Sequence, residues 1–272
     1  MIVLWILLFL ILFSFVSYLA LIAPSFRKPD DSHLRGWMYA HRGLHDGNVN
    51  VSENSMKAFE LAVEKGYGME LDVQLTRDRK LVVHHDGSLK RVCGVDKRIW
   101  DTDYADLPLL PDGSRIPLLT EVLSMVDGRV PIIVEIKHYG NAGGVGEAAY
   151  EVLKDYTGPY CVEAFNPISL LVFRRKAPHI VRGQLATGGK WDRKETNLAT
   201  HLTLKYLLTN MASRPHFVAY SVPNDRVFPM WMMKHVFKPY LACWTVRDQK
   251  TLEYARKEGY EHVIFELFTP DK

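Results

Sequence analysis

Residues 67–86 read YGMELDVQLTRDRKLVVHHD, and the way their two apolar runs pair decides the fold. Both ELDV (70–73) and LVVHHD (81–86) have strand character, yet only residues 74–80 join them. Parallel neighbours need a dozen or more connecting residues, so this pair has to be an antiparallel hairpin. Further candidate strands lie at 36–42, 131–137, 160–165, 180–185, 217–221, 240–246 and 262–266. Segments of helical period fall between most of them, at 55–66, 120–128, 146–156, 168–177, 231–237 and 248–259. Strand and helix alternating at this spacing predict βα units and a parallel sheet. Nine strands are one too many for a TIM (β/α)8 barrel. Setting LVVHHD aside as a hairpin extension of the second strand leaves eight and folds His85 back over the barrel mouth.

Outside the barrel, IVLWILLFLILFSFVSYLALI (2–22) carries no charge. Its length suits a single bilayer crossing, which takes about 20 apolar residues. Only Met1 precedes it and no A-x-A site follows, so an uncleaved anchor is expected rather than a signal peptide. The predicted organisation is an anchor over 1–23, a linker over 24–36 and a barrel domain over 37–272. Arg27, Lys28 and Arg35 follow the span, and the positive-inside rule then places the barrel in the cytoplasm.

The 34 basic and 31 acidic residues give a net charge of +3 with no long basic run, which argues against nucleic acid as a partner. Cys93, Cys161 and Cys243 are too scattered for a disulfide framework or a zinc site and read as structural thiols. The glycine-rich GNAGGVG (140–146) reads as a mobile lip, and FPMWMM (228–233) as core packing rather than a lipid-facing edge. Nothing in the pattern addresses oligomeric state.

In a TIM barrel the chemistry sits at the C-terminal ends of the strands. His41 and Arg42 end the first strand, Glu70 and Asp72 the second, and Glu135 and Lys137 the fourth apolar run. Residues two apart on a strand share a face, so Glu70 joins Asp72 and Glu135 joins Lys137. One reading makes these rim salt bridges with Arg42 and Lys137 as the cations. The stronger reading is a divalent metal site, because three carboxylates converging on one mouth suit a hard cation with oxygen ligands. His41 and His85 supply groups for proton transfer near neutral pH, while His84 is expected to be structural. His45 and Asp46 are assigned to loop structure.

HRG (41–43), ENS (53–55), ELDVQLTRD (70–78), VVHHD (82–86), EIK (135–137) and WTV (244–246) together resemble the glycerophosphodiester phosphodiesterase family. The resemblance is dense over residues 39–91 and sparser to about 246. It implies a TIM-barrel enzyme that hydrolyses a glycerophosphodiester to sn-glycerol 3-phosphate and an alcohol with one divalent cation, Mg²⁺ or Ca²⁺. By position it implies metal ligation by Glu70, Asp72 and Glu135, and catalysis by His41 and His85. It further implies phosphate contacts from Arg42 and Lys137, support from Glu53 and Asn54, and a substrate wall at Trp244. Three stretches depart from the family pattern. RVCG (91–94) replaces an arginine-threonine-threonine run, VIFELFTP (263–270) lacks a threonine-aspartate pair, and Arg247 stands in place of asparagine. Two alternatives are weighed: phospholipase D-type hydrolysis of lysophospholipids, and a non-catalytic membrane protein that binds phosphodiesters.

Overall fold

The computed structural model describes residues 1–140, 143–193 and 196–270. Eight parallel strands close into a barrel: β1 (Met38–His41), β2 (Gly68–Leu75), β4 (Ile132–Ile136), β5 (Tyr160–Ala164), β6 (Arg182–Ala186), β7 (Phe217–Ser221), β8 (Tyr240–Val246) and β9 (His262–Phe265). Closure is made by β1, which pairs in parallel with β2 on one side and β9 on the other. The ninth strand, β3 (Leu81–Val83), runs antiparallel to β2, with Val73 opposite Val83. The hairpin expected over residues 67–86 is therefore present, and β3 stands outside the barrel count.

The strands are buried on both faces because α-helices cover the outside. These are α2 (Met56–Glu64), α4 (Leu119–Val126), α5 (Val145–Leu153), α6 (Pro167–Lys176), α7 (Leu198–Lys205), α9 (Phe228–Met232) and α10 (Gln249–Lys257). Two further short turns, α3 (Lys90–Cys93) and α8 (Asn210–Ser213), lie in connections. Ala40, Met69, Leu71, Val73, Ile132 and Val134 belong to the layer between strands and helices. Tyr39, Ile133, Cys161, Phe217, Ala219, Tyr240, Ala242 and Ile264 form a separate cluster, the barrel interior. Period-two alternation then fixes what lies above each interior residue. Above Tyr39 comes His41, above Ile133 come Glu135 and Lys137, above Cys161 comes Glu163, and above Ile264 comes Glu266. The lower barrel is apolar and the upper barrel is charged.

The segment between the N-terminal apolar helix and the barrel is tied down. Leu34, in a single 3₁₀ turn (Ser32–Leu34), is fully buried in the interior cluster, and its carbonyl accepts from Tyr39 Oη at 2.7 Å. The apolar helix α1 (Ile2–Ile22) has its first fifteen or so residues exposed, while Ile22 is buried. The run 228–233 divides: Pro229, Met230, Met232 and Met233 are core, whereas Phe228 and Trp231 are about half exposed. Phe228 packs against Tyr18 of α1 with ring centroids 6.2 Å apart. Cys161 and Cys243 are buried free thiols and Cys93 is half-buried. The central residues of the glycine-rich lip, 141 and 142, lie outside the described residues, and Val145 already begins α5.

Candidate active site

The turn after β1 is built to bring its polar residues inward. Arg42 and Gly43 both adopt left-handed backbone, with φ of 58° and 76°. A Cβ on Gly43 would lie 2.8 Å from Ala58 Cβ, so the chain can pass under α2 only without a side chain. Asp46 then organises the loop by accepting from the backbone N–H groups of Val49, Asn50 and Val51. The loop returns at Asn54, also left-handed at φ 55°, whose N–H donates to the Arg42 carbonyl at 2.9 Å. Ser55 follows as the N-cap of α2, its hydroxyl accepting from Ala58 N–H at 3.1 Å. Thus Glu53 and Asn54 are fixed by a helix start.

Ligand atoms of Glu70, Asp72 and Glu135 all lie within 4.8 Å of one another, and all three side chains are buried. Asp72 Oδ2 accepts from Asn54 Nδ2 at 2.8 Å, and Lys137 Nζ stands 2.7 Å from Glu135 Oε1 and 3.0 Å from Asp72 Oδ1. Among the described residues, Asp72 Oδ1 and Glu70 Oε1 have no hydrogen bond. The salt bridges weighed from sequence therefore exist, but they do not satisfy the cluster. Glu163 adds a fourth carboxyl group facing the same space, which the cations Arg42, Lys137 and Arg247 also line. Burial, followed by the Asp72 and Glu135 charges, pushes the Glu70 carboxyl well above its ordinary range. Burial does the same to Glu163, with Glu135 adding to it. An all-oxygen donor set with orphaned buried oxygens fits a hard divalent cation.

Each of the two histidines has its Nδ1 engaged by a carboxylate. His41 Nδ1 lies 2.9 Å from Glu266 Oε1, and His85 Nδ1 lies 2.5 Å from Asp86 Oδ1. Nε2 of each ring has no hydrogen bond among the described residues, and both rings line a cavity of about 130 Å³. His41 Nε2 is 3.9 Å from Glu70 Oε2. Burial lowers the His41 pKa to about 4, partly opposed by the hydrogen bond that Glu266 accepts from the ring. Arg42, Glu70, Glu135, Lys137, Glu163, Phe165, Trp244 and Arg247 share the cavity wall. Trp244 meets Phe165 edge to face at 5.5 Å, forming its apolar side. Arg42 Nη1 donates to Glu53 Oε1 at 2.8 Å.

All ten residues singled out in the sequence, Glu53, Asn54 and Asp72 behind the wall included, are brought together at this mouth. Sequence reading missed the supports. Arg91 clamps Glu53 through two hydrogen bonds, of 2.8 and 2.7 Å, and also binds Asp86 at 2.6 Å. Hence the departing RVCG segment carries the cation that joins the loop after β1 to the one after β3. Two other departures also meet in space: Arg247 Nε donates to Glu266 Oε2 at 2.8 Å, while Glu266 Oε1 holds His41. His45, assigned to loop structure, does use Nδ1 to accept from Gly47 N–H, yet its Nε2 also approaches Glu266 Oε1 at 3.5 Å. The available signals were strand endings: VIFE ends in Glu266 and YCVEAF carries Glu163 two residues after an interior cysteine.

Residues 41–266 match the model of the glycerophosphoryl diester phosphodiesterase family. A glycerophosphodiester phosphodiesterase of Bacillus altitudinis is 34% identical over 253 residues, covering 86% of this chain and 95% of that protein. A human lysophospholipase D is 37% identical over 118 residues, 38% of this chain and 36% of its own. In fold, the chain is similar to an Oleispira antarctica phosphodiesterase solved with the product sn-glycerol-3-phosphate. That likeness has a TM-score of 0.69 and 21% identity, covering 85% of this chain and 93% of the other. The chain belongs to the glycerophosphoryl diester phosphodiesterase family and is an enzyme of that class.

Proposed function

We propose that the protein is a membrane-anchored, metal-dependent hydrolase that converts a glycerophosphodiester to sn-glycerol 3-phosphate and an alcohol. One observation carries the reading. Two histidines, each tied through Nδ1 to a carboxylate, line one cavity with Glu70 and Glu135, and Asp72 completes the carboxylate cluster behind its wall.

Glu70, Asp72 and Glu135 would hold the divalent cation, Mg²⁺ or Ca²⁺, with Asn54 orienting Asp72. The chemistry such an ion supplies is electrostatic, offsetting negative charge that develops on the phosphoryl oxygens. Arg42, braced by Glu53, presents its guanidinium to the phosphate, and Lys137 adds a point charge. Trp244 and Phe165 wall the pocket on the side open to the substrate's organic group. A proton leaves the attacking oxygen for Nε2 of one histidine as the new P–O bond forms. The Nε2–H of the other protonates the departing alkoxide as the old P–O bond breaks. Glu266 and Asp86 hold the two rings in the tautomer this requires, with the proton on Nδ1 of the ring that acts as base.

The test is glycerophosphocholine turnover with EDTA and then with Mg²⁺ or Ca²⁺ restored. His41→Ala and His85→Ala should each cost about 100-fold or more in kcat. Turnover within about threefold of the parent for either variant would overturn the mechanism, since proton transfer rarely contributes so little.

α1 is assigned as the anchor, with the barrel on the cytoplasmic side as Arg27, Lys28 and Arg35 would dictate. A second reading, lysophospholipase D activity, is favoured by that helix and by the similarity to the human lysophospholipase D. Lysophosphatidylcholine competing as a better substrate than glycerophosphocholine would select it.

A further inference from the structure

At the opposite end of the barrel, where α1 meets it, lies a cavity of about 770 Å³. Its wall joins the last turns of α1, through Val16, Leu19 and Ala20, to residues before β6, β7 and β8. The charged part of the wall is arginine. Arg182, the first residue of β6, is 3% exposed. Its Nε and Nη2 donate to the carbonyls of Ser213 and Arg214 at 3.0 and 2.8 Å, but Nη1 has no hydrogen bond among the described residues. Arg214 Nη1 donates to the carbonyls of Ala20 and Ala23, both at 2.8 Å, and so pins the end of α1. Arg174 donates to the Ala212 carbonyl at 2.6 Å.

Among the described residues no carboxylate pairs with any of these three arginines. A buried guanidinium without a counter-charge is costly, and interior arginines are ordinarily paired. Burial, with Arg174 next, lowers the Arg182 pKa to about 10. His216, on the same wall, accepts from the Arg182 backbone N–H through Nδ1 at 3.2 Å and is held neutral by burial. Cation and apolar surface therefore face one cavity, and among the described residues no carboxylate meets the arginines.

The position of this cavity relative to a bilayer follows from helix length. At about 1.5 Å per residue, α1 is about 32 Å long, close to the ~30 Å hydrocarbon core. Its exposed portion, residues 2–16, rises only about 22 Å, so a full crossing brings the docked turns and the base of the barrel against the membrane surface. Phe26 and Val236, which line the same cavity, are 85% and 53% exposed and would meet the interface.

We propose that this basal cavity binds the phosphate of an anionic phospholipid, with Arg182, Arg174 and Arg214 around the headgroup and an acyl chain along α1. The inference rests on α1 being a membrane anchor. Arginine forks suit phosphate, and basic pockets beside a transmembrane helix are suited to anionic headgroups. The site is distinct from the catalytic mouth, which is at the other ends of the strands.

The experiment uses the full chain in detergent, offered phosphatidylglycerol or phosphatidylcholine, with retained lipid read by native mass spectrometry. Flotation with phosphatidylcholine vesicles runs in parallel. Phosphatidylglycerol should be retained over phosphatidylcholine, and inorganic phosphate should not displace it. Losing one charge-assisted hydrogen bond should weaken retention about tenfold in Arg182→Gln. Arg174→Gln, at an exposed position, should act in the same direction and carries the test if Arg182→Gln fails to fold. Equal retention of the two lipids, variants that match the parent, or displacement by inorganic phosphate would each overturn the proposal while α1 still floats. A chain that floats with no vesicle would instead sink the anchor, and the lipid assignment with it.

Discussion

Replacing Glu266 by glutamine keeps the side chain's shape and removes its charge. Glu266 Oε1 lies 2.9 Å from His41 Nδ1, while Oε2 is 2.8 Å from Arg247 Nε. A carboxylate can only accept at Nδ1, so it fixes the Nδ1–H tautomer and leaves Nε2 free for proton transfer. An amide can accept or donate, so Glu266→Gln loses that control. The carboxylate also raises the His41 pKa against the depression caused by burial, so its loss makes the ring a still weaker base. A hydrogen bond to a charged group contributes about 1.5–3 kcal/mol, which as transition-state stabilisation corresponds to roughly 10- to 100-fold in rate. Glutamine retains part of it, which puts the expected kcat loss toward the lower end, about tenfold. KM should hardly move, because Glu266 touches the histidine and does not line the cavity. The assay is steady-state glycerophosphocholine hydrolysis by the parent, Glu266→Gln, His41→Ala and the double variant. Residues acting as one unit are strongly non-additive, so Glu266→Gln should cost little further once His41 is gone. If it costs the same tenfold in both backgrounds, Glu266 acts through Arg247 or the loop, and the positioning argument fails.

Glu163→Gln should leave stability and turnover within about threefold of the parent, since burial pushes that carboxyl well above its ordinary range. Calorimetric titration with Mg²⁺ or Ca²⁺ should show binding lost in Asp72→Asn, and unchanged affinity would remove Asp72 from the metal site. Gly43→Ala introduces a Cβ 2.8 Å from Ala58 Cβ at positive φ. It should destabilise by roughly 1–3 kcal/mol in urea unfolding, as overpacked and strained positions do. His262 is fully buried, with neither ring nitrogen hydrogen-bonded among the described residues, and burial lowers its pKa to about 3. The unfolded ring takes a proton below about pH 6.5 that the folded ring refuses, so its contribution to stability falls as pH drops from 6.5 toward 3. At pH 5 this amounts to about 2 kcal/mol, and His262→Leu should flatten the stability difference between pH 7 and 5 by that much. An unchanged slope would show that His262 titrates normally.

By itself the sequence determined the strands, the hairpin and the three metal-candidate carboxylates. The reason is geometric: a barrel strand is a short apolar run with a side-chain period of two. A charge at its C-terminal end therefore has to face the mouth, and Glu70, Asp72, Glu135 and His41 could be placed one strand at a time. The seven-residue link between ELDV and LVVHHD was similarly decisive, because chain length alone forbids a crossover. The short helices α7 and α8, between β6 and β7, were not legible, since they lack an apolar period long enough to stand out. The partners of the histidines were likewise hidden. Glu266 lies 225 residues from His41, and only closure of β1 onto β9, which sets Ala40 beside Phe265, brings the two together. The basal arginines are the same case: Arg174, Arg182 and Arg214 are scattered along the chain and meet only where α1 docks. A local pattern specifies which face a residue takes. Which residue it meets there is settled by how the barrel closes.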